Sequence, residues 1–148
     1  MCYMLLLSTS SSEDLSVQNC DLIRFEKDMP ACVLINALRY PNKWFVGSRS
    51  GCSCSFRHLY SIELGFGEPV DWYKEDQEDI AATLLFVKIV KSLLTKGEGV
   101  DCIDVWDDIL DQPEEASIPV LEVNFGKINE AEFRFFENHH FNFTMTTS

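Results

Sequence analysis

The chain has 148 residues, 46% of them hydrophobic and 24% charged, which sets it among folded proteins and apart from disordered ones. That length suits one globular domain over residues 1–148, with a single core. Twelve basic against 24 acidic residues give a net charge of −12, which repels phosphate backbones and anionic lipid, so nucleic acid and membrane surfaces are poor partners.

The opening "MCYMLLLSTS" has an apolar run without a preceding basic residue or a small-residue cleavage site, and reads as a first strand rather than an export signal. A cytoplasmic location is the expectation. The six cysteines, Cys2, Cys20, Cys32, Cys52, Cys54 and Cys102, then read as reduced thiols, several of them small core residues. Residues 8–19, rich in serine and acid, read as a surface loop. In "DLIRFEK", residues 21–27, Ile23 and Phe25 take one parity and Arg24 and Glu26 the other, predicting a half-buried strand. The apolar stretch between Pro30 and Pro41 predicts a brief helix.

Residues 44–48, "WFVGS", are strand-like, and "SFRHLYSIEL" resumes the alternation with Phe56, His58, Tyr60, Ile62 and Leu64 on one face. Gly47 and Gly51 between them predict a hairpin turn. The strongest helix covers about residues 76–96, with Asp76 as N-cap, Lys96 in the last turn and Gly97 as terminator. Its polar positions Lys88, Lys91, Ser92 and Thr95 form one narrow stripe. The rest of its circumference is apolar, so it is expected to be buried on more than one side, by a sheet with flanking loops or by a second subunit in a homodimer. With two lysines inside it, the apolar run falls short of the ~20 residues that cross a bilayer.

Further on, "VDCIDVW" reads as a strand, "DDILDQPEEAS" as a polar turn, and "IPVLEVNF" as a strand with Leu121, Val123 and Phe125 inward. Asn129 and Glu132 make a capping box for a short helix. In "HHFNFTM", Phe141, Phe143 and Met145 alternate with His140, Asn142 and Thr144. The pattern predicts an α+β fold: a mainly antiparallel sheet packed on one long buried helix, with short additional helices.

Charge is spread unevenly. From Met29 to Ile62 there is no acid, while Arg39, Lys43, Arg49 and Arg57 give that segment +4 against −16 for the rest. Within it, "GSRSGCSCSFRH" combines flexible backbone with forked donors, the chemistry that an anion such as phosphate or carboxylate requires. Ser48, Arg49, Ser50, Gly51, Arg57 and His58 are the candidate binding residues, for a small anionic ligand or an acidic group on a protein partner. The plain alternative is that these cations complement the protein's own carboxylates.

A second candidate is a thiol site at Cys52 and Cys54. Zinc would need two more donors, from His58, Cys102, His139 and His140, and an extended 54–58 would separate Cys54 from His58 by ~13 Å. Nothing in the sequence requires a cofactor. Arg49, Arg57 and His58 could instead activate a nucleophilic thiol, yet Cys52 and Arg57 miss the C-x5-R spacing of phosphatase loops, and no C-x-x-C pair is present. Nucleotide, zinc-protease and hydrolase fingerprints are also missing. The aspartates Asp101, Asp104, Asp107, Asp108 and Asp111 miss the calcium-loop spacing and read as a solvated edge and turn. The tryptophans and eleven phenylalanines read as core. The leading expectation is a non-enzymatic binding module that uses residues 47–58 as its contact surface.

Overall fold

A computed structural model describes residues 3–29, 33–49, 51–59, 65–67, 75–106 and 118–146. Among these residues there are eight strands: β1 (Tyr3–Thr9), β2 (Ile23–Glu26), β3 (Asn42–Ser48), β4 (His58–Leu59), β5 (Val100–Trp106), β6 (Val120–Asn124), β7 (Phe135–Phe136) and β8 (His139–Thr144). One α-helix, α1 (Gln77–Thr95), follows β4, and single 3-10 turns fill several connections. Six strands make a mixed sheet in the order β2-β3-β1-β5-β8-β6. Only β6 against β8 is parallel in it; β4 and β7 form a separate parallel pair. The class is α+β, with the helix on one face of the sheet.

Local chemistry explains the elements. Asp76 caps α1 by accepting the Glu78 N–H at 2.8 Å, with Glu78 and Asp79 placed where the helix dipole favours acids. Gly97 terminates the helix at φ 84°, a conformation that an L side chain resists. In β2, Ile23 and Phe25 are buried and Arg24 and Glu26 exposed, as the alternation requires. The stretch predicted as a brief helix supplies a 3-10 turn, Val33–Ala37. Asn129 and Glu132 form their capping box around a 3-10 turn, Glu130–Glu132.

The sheet is buried on both faces at its centre. On β1, Leu5 and Leu7 join the helix-side core, whereas Met4 and Leu6 join a smaller cluster with Leu34, Leu38, Ile103 and Val105. The helix side is phenylalanine-rich: Phe86 of α1 lies 5.0 Å from Phe135 and 6.0 Å from Phe143, ring centre to ring centre, and Phe133 sits 5.0 Å from Phe135. Edge-to-face rings of this kind add about 0.5–1.5 kcal/mol per pair beyond area burial. The sheet and the 3-10 turn at Glu130 together cover most of α1 and leave Lys88, Ser92 and Thr95 in solvent.

The structure corrects two expectations. The first is the 47–58 hairpin. β3 is flanked by β1 over Asn42–Val46 and by β2 over Phe45–Ser48, so a returning strand would find both sides taken at Phe45 and Val46, and the chain after Gly51 makes the 3-10 turn Ser53–Ser55 before β4 pairs with β7. The second is the solvated edge: Asp101 and Asp104 lie on the central strand β5, between β1 and β8, fully buried. Tyr60, Ile62, Leu64, Trp72, Cys2, Cys32 and the polar turn with Asp107, Asp108 and Asp111 lie outside the described residues.

Candidate functional site

The segment at 48–58 is a wedge in the sheet rather than a finger. Gly51, at φ 88°, turns the chain, and its N–H donates to Ser48 O at 2.9 Å while the Ser48 N–H donates to Cys52 O at 2.8 Å. The Ser48 hydroxyl also donates to Cys52 O at 2.6 Å and accepts the Ser55 N–H at 3.0 Å. Ser53 then enters between β1 and β3. Its hydroxyl accepts the Leu5 N–H at 2.9 Å and donates to Val46 O at 2.5 Å, standing in for a ladder bond between residues that face each other in register. One residue on, Cys54 Sγ accepts the Tyr3 N–H at 3.3 Å.

Arg57 is an internal strut. With 2% of its side chain exposed, it forks onto Glu75, Nε to Oε2 at 2.5 Å and Nη2 to Oε1 at 2.8 Å. Its remaining donors reach the carbonyls of Ala131 at 2.7 Å, Phe133 at 3.2 Å and Gly67 at 3.1 Å. No donor is left over for a ligand. Arg49 is half exposed and pairs with Asp76, Glu78 and Asp79 at 3.3, 3.1 and 3.3 Å, at the helix N-terminus. The plain alternative, self-complementation of charge, therefore describes both arginines.

His58 is buried between two acceptors: Nδ1 lies 2.9 Å from Asp104 Oδ2, and Nε2 lies 2.5 Å from Ser53 O. The Tyr3 ring stacks on the imidazole at 4.0 Å and 4°. Burial by itself would lower the His58 pKa, but the charge and hydrogen bond of Asp104, with the Ser53 carbonyl, outweigh it and hold the pKa above its ordinary value. Burial raises the Asp104 pKa, against the opposing pull of His58. The other oxygen, Asp104 Oδ1, is buried without a hydrogen-bond partner. An acid and a histidine side by side suggest a general base. Here Nε2 already faces a carbonyl, so the imidazole has no free nitrogen to offer a substrate.

Asp101 anchors the opposite face. Its carboxylate accepts the Ser8 hydroxyl, the Arg39 N–H at 3.1 Å and a hydrogen bond with His140 Nε2 at 2.6 Å. Ser8 Oγ in turn accepts the Tyr40 N–H at 3.2 Å. Serine, histidine and aspartate thus meet, but with the acid in the middle rather than the histidine. No proton can be relayed from serine to histidine in that order, so the trio ties the 38–40 loop to the sheet instead of activating a hydroxyl. Sequence alternation put His140 on the polar parity with Asn142 and Thr144, and only the tertiary fold reveals that His140 is buried while Thr144 stays exposed.

The surface beside the wedge is concave. A cleft of about 540 Å³ is lined by Asn19, Cys20, Asp21, Arg24, Ser48, Arg49 and Gly51. The guanidinium of Arg24, exposed on β2, has no hydrogen-bond or ion-pair partner among the described residues. Of the predicted binding residues, Ser48, Arg49 and Gly51 line this cleft, Arg57 and His58 point inward, and Ser50 lies outside the described residues. Arg24, Asn19 and Cys20 were not singled out from sequence. Strand parity already put Arg24 on the outward face of β2, but no local signal paired it with the 48–51 turn.

The thiol candidates are dispersed. Cys20 is exposed, Cys52 and Cys54 are half-buried, and Cys102 is buried, with desolvation, Asp104 and Asp101 raising its pKa well above that of a free thiol. Among the described residues no three His, Cys, Asp or Glu side chains converge as a metal site. That includes the proposed donors Cys52, Cys54, His58, Cys102, His139 and His140, because His58 spends both ring nitrogens on Asp104 and Ser53 and His140 is turned to the other face. Compared with protein families, with curated proteins and with solved structures, the chain matches none, so the reading of its site rests on its own residues.

Proposed function

We propose that the protein is a non-catalytic binding module whose ligand or partner places an anionic group in the cleft between β2 and the 48–51 turn. The observation that carries this reading is Arg24: a guanidinium with no internal partner among the described residues, at the rim of a cleft that Arg49 also lines. A forked donor of this kind recognises carboxylate or phosphate oxygens with directional, charge-assisted hydrogen bonds. Arg49 supports it as an exchangeable second donor. Its three carboxylate partners are part-exposed, and solvent screens pairs of that kind enough for an incoming anion to compete. Asp21 on the same wall would disfavour a dense anion and favour a single carboxylate or phosphate monoester.

Titration with inorganic phosphate and with acetate, at ionic strength fixed by chloride, followed by amide chemical shifts, tests the reading. Saturable shifts at Arg24, Arg49 and Gly51, with a Kd on the order of 1 mM for so small a probe, are expected. Arg24→Ala, a surface change, should abolish them. Shifts absent from these residues, or unchanged in the variant, would remove the proposal.

A further inference from the structure

We propose that the His58–Asp104 pair is a protonation-controlled latch that holds the 53–58 wedge between β1 and β3, closed while the pair keeps its extra proton and released when that proton leaves. Two acceptors flank the imidazole, and the protons between them can be counted. Ser53 O, at 2.5 Å from Nε2, can only accept, so Nε2 must carry a hydrogen. Asp104 Oδ2, 2.9 Å from Nδ1, needs a second hydrogen between the two atoms, on either one. The closed arrangement therefore holds two protons where an ionised Asp104 and a neutral imidazole hold one. When the extra proton is lost, Nδ1–H stays with the Asp104 carboxylate, and the lone pair of Nε2 faces the lone pairs of Ser53 O.

That repulsion falls on the residue that fastens the wedge. Ser53 Oγ joins Leu5 N–H to Val46 O, and Cys54 Sγ takes the Tyr3 N–H, so displacing Ser53 uncovers backbone groups of β1 and β3 together. Surroundings of the pair fix the direction. Asp79 of α1 adds to the negative field at His58, and Asp104 has an unpartnered buried oxygen that gains nothing from further ionisation. His139 of β8, opposite Asp104 in register, opposes that field, while Cys102 lies two residues away on the same face of β5. The Tyr3 phenol ring covers the imidazole, and Trp106 meets Tyr3 edge-on at 4.5 Å, which keeps water from replacing the Ser53 contact. Closure is favoured at low pH and lost as pH rises through the pair's folded pKa, above the ordinary histidine value of 6.5.

Amide hydrogen exchange across pH, corrected for intrinsic rates, measures the latch. Protection at Tyr3 and Leu5 should fall about tenfold per pH unit above the transition, the slope of one released proton, while Ile103 and Val105 on the central strand keep theirs. Asp104→Asn should move the transition to lower pH, and His58→Gln should remove it. Should either variant fail to fold, the 15N shifts of the His58 ring in the wild-type protein decide: Nε2 protonated in the closed state and deprotonating together with release supports the latch. An Nε2 without a proton at pH 6, or protection at Tyr3 and Leu5 that tracks the central strand throughout, overturns it.

Discussion

At the residue scale, Arg57 and Arg49 show how position decides what the same guanidinium does. Removing Arg57 strips buried Glu75 of its forked partner, leaving only Arg134 at 3.8 Å, and takes donors from the carbonyls of Gly67, Ala131 and Phe133. Arg57→Ala is expected to lower the unfolding free energy by about 3–5 kcal/mol in urea titration, and Arg57→Lys to recover little, because an ammonium cannot reproduce the fork. Arg49→Ala, with its solvent-screened partners, should leave the urea midpoint nearly unchanged. Equal losses at the two positions would contradict the internal placement of Arg57. In sequence both sit in the same acid-free run, and no local property separates them.

At the element scale, the wedge replaces the hairpin that glycine spacing suggested. Gly47 and Gly51 do mark a turn, and a Cβ on Gly47 would approach Gly51 O to 3.0 Å, so the tight passage is real. The path of the chain beyond that turn depends on whether β3 has a free side, and at Phe45 and Val46 β1 and β2 occupy both. Ser53 is the fastening point of this element. Ser53→Ala should leave Leu5 N–H and Val46 O without their bridge and cost about 1–3 kcal/mol, measurable as a shift in the denaturation midpoint with little change in slope. The outer edge of β2 is closed by the loop before it: the Asn19 side-chain Oδ1 accepts the Phe25 N–H at 2.6 Å, and the Cys20 backbone N–H donates to Ile23 O at 2.9 Å. Asn19 thereby shields the β2 edge from further strand pairing while its neighbours line the cleft.

For the whole molecule, buried titrating groups and net charge act in the same direction. His58, Asp104 and Cys102 all keep their protons more tightly in the folded chain than unfolded, so each contributes stability below its unfolded pKa and loses it as pH rises through the folded one. The windows open above 6.5 for His58, above 3.8 for Asp104 and above 9.0 for Cys102. Self-repulsion of a chain with charge −12 grows in the same sense. Thermal unfolding should accordingly show a melting temperature that declines from pH 6 to pH 9, and a melting temperature that rises over that interval would show that the buried pairs are placed wrongly.

What the sequence determined by itself was local and periodic. Parity placed Ile23 and Phe25 inside β2, capping chemistry placed Asp76 and Asn129 at their turns, and the nearly all-apolar circumference of 77–95 required cover on several sides. Those features depend on residues within a few positions of one another, so the chain alone carries them. The tertiary structure decided the partners. Asp101 and Asp104, three residues apart in an unremarkable strand, become buried acids on opposite faces because β1 and β8 enclose β5. Arg24 meets Arg49 only because β2 packs beside β3. Burial and charge pairing depend on which distant segments arrive at a position, and for this chain that arrival turned its basic stretch from a projecting surface into an internal wedge with a cleft at its side.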